Sequence, residues 1–135
     1  MGMLDGVKIV SFNHFMLGPL AAQNLGDLGA DVIMIEPIGG AFQRQWGGGN
    51  TFVGGESVAF LVANRNKRSI ALDLKSDAGR DIALALMKDA DVVMENFRPD
   101  IMDRLGLGWE TARAANPRLI FASASGCACA LGNHA

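Results

Sequence analysis

Cysteine is nearly absent from these 135 residues: only Cys127 and Cys129 occur, both near the end. With one residue between them a disulfide would be strained, so the expectation is a reduced, cytoplasmic protein rather than a disulfide-stapled one. A zinc site needs about four ligands, and His134 is the only further donor nearby, so no metal is expected here. The N-terminus shows no basic stretch followed by a long apolar run, hence no secretory leader, and Gly6 stands where a myristoylation pattern needs Ser or Thr. No apolar run approaches the roughly 20 residues that cross a bilayer. Like charges never cluster in a block and the net charge is −2, which argues against a general nucleic-acid binder. Nucleotide fingerprints are missing too. Gly47, Gly48 and Gly49 do not build a G-x-G-x-x-G turn between a strand and a helix, and no G-x-x-x-x-G-K-[ST] occurs. An NAD-type or P-loop site therefore has little support.

What is present is an apolar half and a regular alternation of patterns. The length suits one domain with a real core. Residues 7–12, VKIVSF, read as a buried strand. Gly18-Pro19 opens a helix, Leu20, Ala21, Leu25 and Leu28 recur at helical spacing, and Gly29 ends it. Residues 30–37, ADVIMIEP, read as a second strand. A loop over 38–57 carries seven of the chain's 17 glycines; so long a loop in a compact domain is usually functional or mobile. A short helix follows, then a third strand over 69–74. Next comes an amphipathic helix capped by Ser76, with Ile82 and Leu86 on its inner stripe. DVVMENF forms a fourth strand, 99–105 and 109–115 are short helices, and 118–125 a fifth strand. The expectation is an α/β fold: an open, Rossmann-like, mostly parallel sheet with helices on both faces. Ligands bind such sheets beyond the C-terminal ends of the strands.

Four segments carry chemistry. In NRNKRS, Arg65, Lys67 and Arg68 make either a solvated basic turn or an anion clamp. In ENFRP, Asn96 can read a base edge, Phe97 can stack on it and Arg98 can meet a phosphate; equally, Phe97 can be core and Arg98 surface. His14, just past the first strand, is either a site residue or a hydrogen-bonded structural one. Arg44 and Trp46 stand where they can close over a ligand as a lid.

The segments LDGVKIVSF, GPLAAQNLGDLGADVIMIEP, GGESVAFLVANRNKRSIALDLKS, ADVVMENFRPDIMDRLGLGWE and NPRLIFASASG resemble, in order and spacing, the N-terminal part of the family III CoA-transferases. That family includes formyl-CoA transferase, carnitine-related CoA-transferases and α-methylacyl-CoA racemase. The likeness runs from Leu4 to Gly126. It implies that residues 1–135 form a CoA-binding domain without the downstream catalytic segment and second domain. It implies coenzyme A as cosubstrate, with an acyl-CoA and a small carboxylic acid as partners. Phe15 and Met16 match the family's loop beside the thioester. Lys67, Arg68 and Leu72 match the basic turn and strand start at the nucleotide. Asn96, Phe97, Arg104 and Leu105 match the adenine-end pocket. The long loop over 38–57 resembles the transferase branch more than the racemase branch. Met16 falls where formyl-CoA transferase has a glutamine, so formate is not implied. The family's nucleophile is an aspartate beyond the matched segment, which attacks the acyl-CoA thioester to give an anhydride and then an aspartyl-CoA thioester. Glu36 and Glu95 do not match it. The expectation is therefore a CoA-binding portion that is inactive alone; a non-enzymatic CoA-binding remnant and the racemase branch are the alternatives. Full-length members are interlocked homodimers.

Overall fold

The computed structural model describes residues 1–46 and 51–124. The Gly47, Gly48 and Gly49 run, Ser125, Cys127, Cys129 and His134 lie outside the described residues, and with them the expectations attached to them.

Five parallel strands form the sheet: β1 (Lys8–Phe12), β2 (Asp31–Glu36), β5 (Lys67–Ala71), β6 (Val92–Glu95) and β7 (Ile120–Ser123). Their order is β5-β2-β1-β6-β7. From β1 the chain moves outward through β2 to β5, then crosses to β6 on the other flank. Crevices for ligands open where the strand order reverses in this way. Register is tight at the centre, with Val10 opposite Ile33 of β2 and Val93 of β6.

Alternation along β1 builds two cores. Ile9 packs with Val32, Ala22 and Ala30 under α1 (Leu17–Asp27). Val10 and Phe12 face the other way, into a larger cluster with Ala83 and Met87 of α3 (Asp77–Lys88) and Ala112 of α5 (Trp109–Ala115). Strand residues buried on both faces read as continuous apolar runs, which is why β1 and β2 stand out in the sequence. The expected fold class and the helices on both faces are what the structure has.

Three local expectations need correction. The third strand is Lys67–Ala71, not 69–74, so Lys67 and Arg68 belong to the strand itself. Lys67 pairs with Val32 near the start of β2, which puts the main chain of both residues at the N-terminal end of the strand, while the Lys67 ammonium reaches back to the start of α1. The inner stripe of α3 is Gly79, Ala83 and Met87, with Leu86 packed against the core as expected; Ile82 is exposed. Small residues let this helix approach closely, and a Cβ on Gly79 would come within 2.0 Å of the Asp73 carbonyl oxygen. Ser76 caps the helix as expected, its Oγ accepting from the Gly79 N–H at 3.1 Å. The loop after β2 is also more ordered than its glycines suggest. It holds a 3-10 turn at Phe42–Arg44 and a small antiparallel pair, β3 (Phe52–Val53) with β4 (Glu56–Ser57), ahead of α2 (Val58–Ala63).

Candidate functional site

A cavity of about 590 Å³ opens at the C-terminal edge of the sheet, a size typical of small-molecule sites. The ends of β1, β2, β5 and β6 contribute to it. Phe12 and His14 come from β1 and the loop after it, Pro37 and Ile38 from the loop after β2, and Leu72, Asp73 and Lys75 from the loop after β5. Phe97 follows β6, and Ile101, Arg104 and Leu105 come from α4 (Ile101–Arg104) and its end. The cavity is apolar in its depth, where Phe12, Ile35 and Leu72 are buried, and cationic at its lip, where Lys75 and Arg104 are exposed. Neither cation makes an ion pair with any described residue.

Four of the expected site residues meet here: Leu72, Phe97, Arg104 and Leu105. The Phe97 ring lies 4.9 Å from the His14 ring, tilted by 43°. Asn96 is adjacent but occupied. Its Oδ1 accepts from the His14 N–H at 2.6 Å and its Nδ2 donates to the His14 carbonyl at 2.8 Å. An amide closed on the main chain in this way has no free edge for a base; it holds the β1–α1 loop instead. Arg98 is exposed and outside the cavity lining.

Lys67 and Arg68 are elsewhere and engaged. Lys67 Nζ donates to Pro19 O at 2.7 Å, Ala63 O at 2.8 Å and Asn64 Oδ1 at 2.7 Å, using all three of its donors. It thereby ties the start of α1 to the end of α2. Burial pushes its pKa down to about 8, and the three oxygens around it suit an ammonium at neutral pH. Arg68 pairs with Asp31 at 2.6 Å on the N-terminal edge. Arg65 likewise pairs with Asp27 at 2.5 Å. The charges of the basic turn are thus engaged with partners of the fold.

Arg44 is an anchor rather than a lid. Its Nε and Nη2 reach both oxygens of Glu36 at 2.7 Å, its Nη1 reaches Glu56 at 3.1 Å, and its guanidinium carbon lies 4.1 Å from the Phe60 ring centroid. Glu36 also accepts from the Ala41 N–H at 2.8 Å and from Ser69 Oγ. Burial pushes the Glu36 carboxyl up, but the bonds from Arg44, Ser69 and Ala41 outweigh it and bring it down to about 2. Glu95 is also buried and engaged, accepting from the Phe97 N–H at 2.9 Å and from Ser123 Oγ.

Phe15 and Met16 lie beyond the cavity, exposed at the start of α1. Phe15 has φ +61°, a left-handed conformation uncommon for a bulky side chain. Its ring meets Phe42 at 5.1 Å and Trp46 at 5.9 Å, so three exposed aromatics gather on the rim next to His14. Sequence reasoning missed Lys75, Asp73 and Ile38. The signal for them was available: all three follow a strand, which places them on the ligand edge.

A family model described as "CoA-transferase family III" matches residues 4–129. An acetyl-CoA:oxalate CoA-transferase of Acetobacter aceti is 45% identical over 126 residues, covering 93% of this chain and 32% of the relative. A formyl-CoA:oxalate CoA-transferase of Afipia carboxidovorans is 43% identical over 124 residues, covering 91% of this chain and 29% of the relative. Among solved structures, a CAIB/BAIF family protein from Brucella suis superposes with a TM-score of 0.84 at 41% identity, covering 90% of this chain and 33% of that one. A Mycobacterium tuberculosis protein in an orthorhombic form gives a TM-score of 0.88 at 39% identity, covering 99% and 36%. The chain thus spans about a third of the length of these relatives.

Proposed function

This chain belongs to CoA-transferase family III, and we propose that it carries the coenzyme A nucleotide site of an acyl-CoA:carboxylic acid CoA-transferase. The observation that carries the reading is the pairing of an apolar cleft with two unpaired cations, Lys75 and Arg104, on the ligand edge of a parallel sheet. Coenzyme A presents a flat adenine and several phosphates. The adenine calls for an apolar, partly aromatic wall, which Phe97, Leu72 and Leu105 supply. The phosphates call for charged donors, which Lys75 and Arg104 supply. Phe15 and Met16, on the same rim, stand where the pantetheine arm leaves the cleft. In this reading the partners are an acyl-CoA and a small carboxylic acid; the names of the oxalate CoA-transferases among the relatives favour acid-to-acid transfer over racemisation.

In this reading neither of the two buried glutamates at the ligand edge serves as a nucleophile. Transfer needs a carboxylate free to attack a thioester. Glu36 is held by Arg44, Ser69 and a main-chain N–H, and Glu95 by Ser123 and a main-chain N–H. Neither can swing into the cleft without leaving buried partners unsatisfied. This chain's contribution is to hold and orient the nucleotide end of the thioester.

Calorimetry with CoA and NAD side by side tests the reading. Saturable binding of CoA and none of NAD is expected; NAD binding, or no CoA binding, would count against it. Incubation with acyl-CoA and acid acceptors is expected to give no exchange.

A further inference from the structure

His14 is the histidine among the cavity-lining residues. Its backbone is pinned by the Asn96 amide, so the ring position is set by β6 as well as β1. One side of the imidazole lies against Phe97. Gln43 favours the protonated imidazole, and Gln43 Oε1 is a buried acceptor without a hydrogen-bond partner among the described residues. An imidazole protonated on both nitrogens has a donor for Gln43 and a second one for the cavity.

We propose that His14 is a ligand contact of this cavity that takes up a proton from solvent when a phosphate-bearing ligand binds. The inference rests on the reading of the cavity as the coenzyme A nucleotide site. Glu36 is the charged group that acts on the imidazole, and Asp73, Lys75 and Arg104 line the same cavity. Glu36 at the end of β2 is bridged to Arg44 of the 3-10 turn. Asp73 and Lys75 follow β5, and Arg104 belongs to α4. Burial holds the imidazole below its ordinary value, against the opposing pull of Gln43 and Glu36. A phosphate a few ångströms away adds a favourable charge to the protonated form and reverses that balance. Phe97 then stacks on the base while His14, Lys75 and Arg104 meet the phosphates, so the imidazole adds a third cation only when there is an anion to receive it.

Proton NMR of the imidazole tests this directly, with His134→Gln to assign the two histidine signals. The His14 titration is expected to move up by about one to three pH units on saturation with CoA. Calorimetry at pH 7 in buffers of differing ionisation enthalpy is expected to show proton uptake by the native chain and less by His14→Gln. The variant subtracts any titration of the ligand's own phosphate. A His14 titration unmoved by saturating CoA would overturn the proposal and leave the nucleotide site standing. Failure of CoA to bind the native chain would overturn both. Pantetheine, which lacks the phosphates of the nucleotide, is expected to leave the titration in place; an equal shift with pantetheine would contradict the assigned contact.

Discussion

The side-chain amide of Asn96 closes a ring of two hydrogen bonds on the main chain of His14, 82 residues earlier, at 2.6 and 2.8 Å. It joins the ends of β1 and β6 where the strand order reverses, and so fixes the wall on which His14 and Phe97 meet. Asn96→Ala removes both bonds and leaves a donor and an acceptor of the main chain short of partners. The expected loss is about 1–3 kcal/mol of stability in urea denaturation. CoA affinity is expected to fall as well, because the His14–Phe97 wall loosens.

Lysines of this chain divide sharply by task, and two matched variants expose the division. Lys67→Met keeps the apolar stem but deserts three oxygen acceptors. It is expected to cost about 1–3 kcal/mol of stability and to leave CoA affinity of the folded protein unchanged. Lys75→Met is expected to do the reverse: CoA affinity falls roughly tenfold, more at low salt than at high salt, with little change in the denaturation midpoint. Titration calorimetry and denaturation on both proteins check it. Equal loss of CoA affinity in the two would return the basic turn to the site.

Phe97 is the flat face of the cleft. Phe97→Ala is expected to weaken CoA by about 1–3 kcal/mol, and Phe97→Leu by less, since leucine keeps the apolar wall without the ring. Titration against CoA and against pantetheine, which lacks the adenine, checks it. Only the CoA titration is expected to change.

Acid stability follows Glu36. Its folded carboxyl is held at about 2 against an ordinary 4.5. A lowered carboxyl contributes stability that is complete above the unfolded value and lost as pH falls through the folded one. The window is therefore pH 4.5 down to 2, and the contribution is on the order of 3 kcal/mol. Denaturation of the native chain at pH 7 and pH 3 is expected to show about 2 kcal/mol of that loss, the rest falling below pH 3. Glu36→Gln is expected to be less stable at pH 7 and to lose less between the two.

Much of this architecture is legible in the residues. The β-branched, apolar runs of β1, β2 and β6 announce buried parallel strands, and Ser76 announces its helix. The start of β5 was misplaced for a physical reason. It is an edge strand whose first residues, Lys67 and Arg68, are charged, and after the polar residues 64–66 they read as part of a turn. Their long side chains run to partners on α1, α2 and β2 that no local pattern reveals. The inner stripe of α3 was misread because hydrophobicity favours Ile82 over Gly79, whereas close approach to Asp73 demands the glycine. Leu72, Phe97, Arg104 and Leu105 were found because resemblance named them, and the cavity gathers the four. Asn96 offers a base edge in the sequence, whereas in the structure its amide bonds the main chain of His14, a partner too distant in the chain for spacing to show. Lys75 was passed over beside more conspicuous cations, although its place just after β5 put it on the ligand edge.

The most direct measurement is a crystal of this chain grown or soaked with coenzyme A. Density for the adenine between Phe97, Leu72 and Leu105, with phosphates at Lys75 and Arg104, is the predicted result. A nucleotide lodged at the opposite edge, by Lys67 and Arg68, would contradict the account.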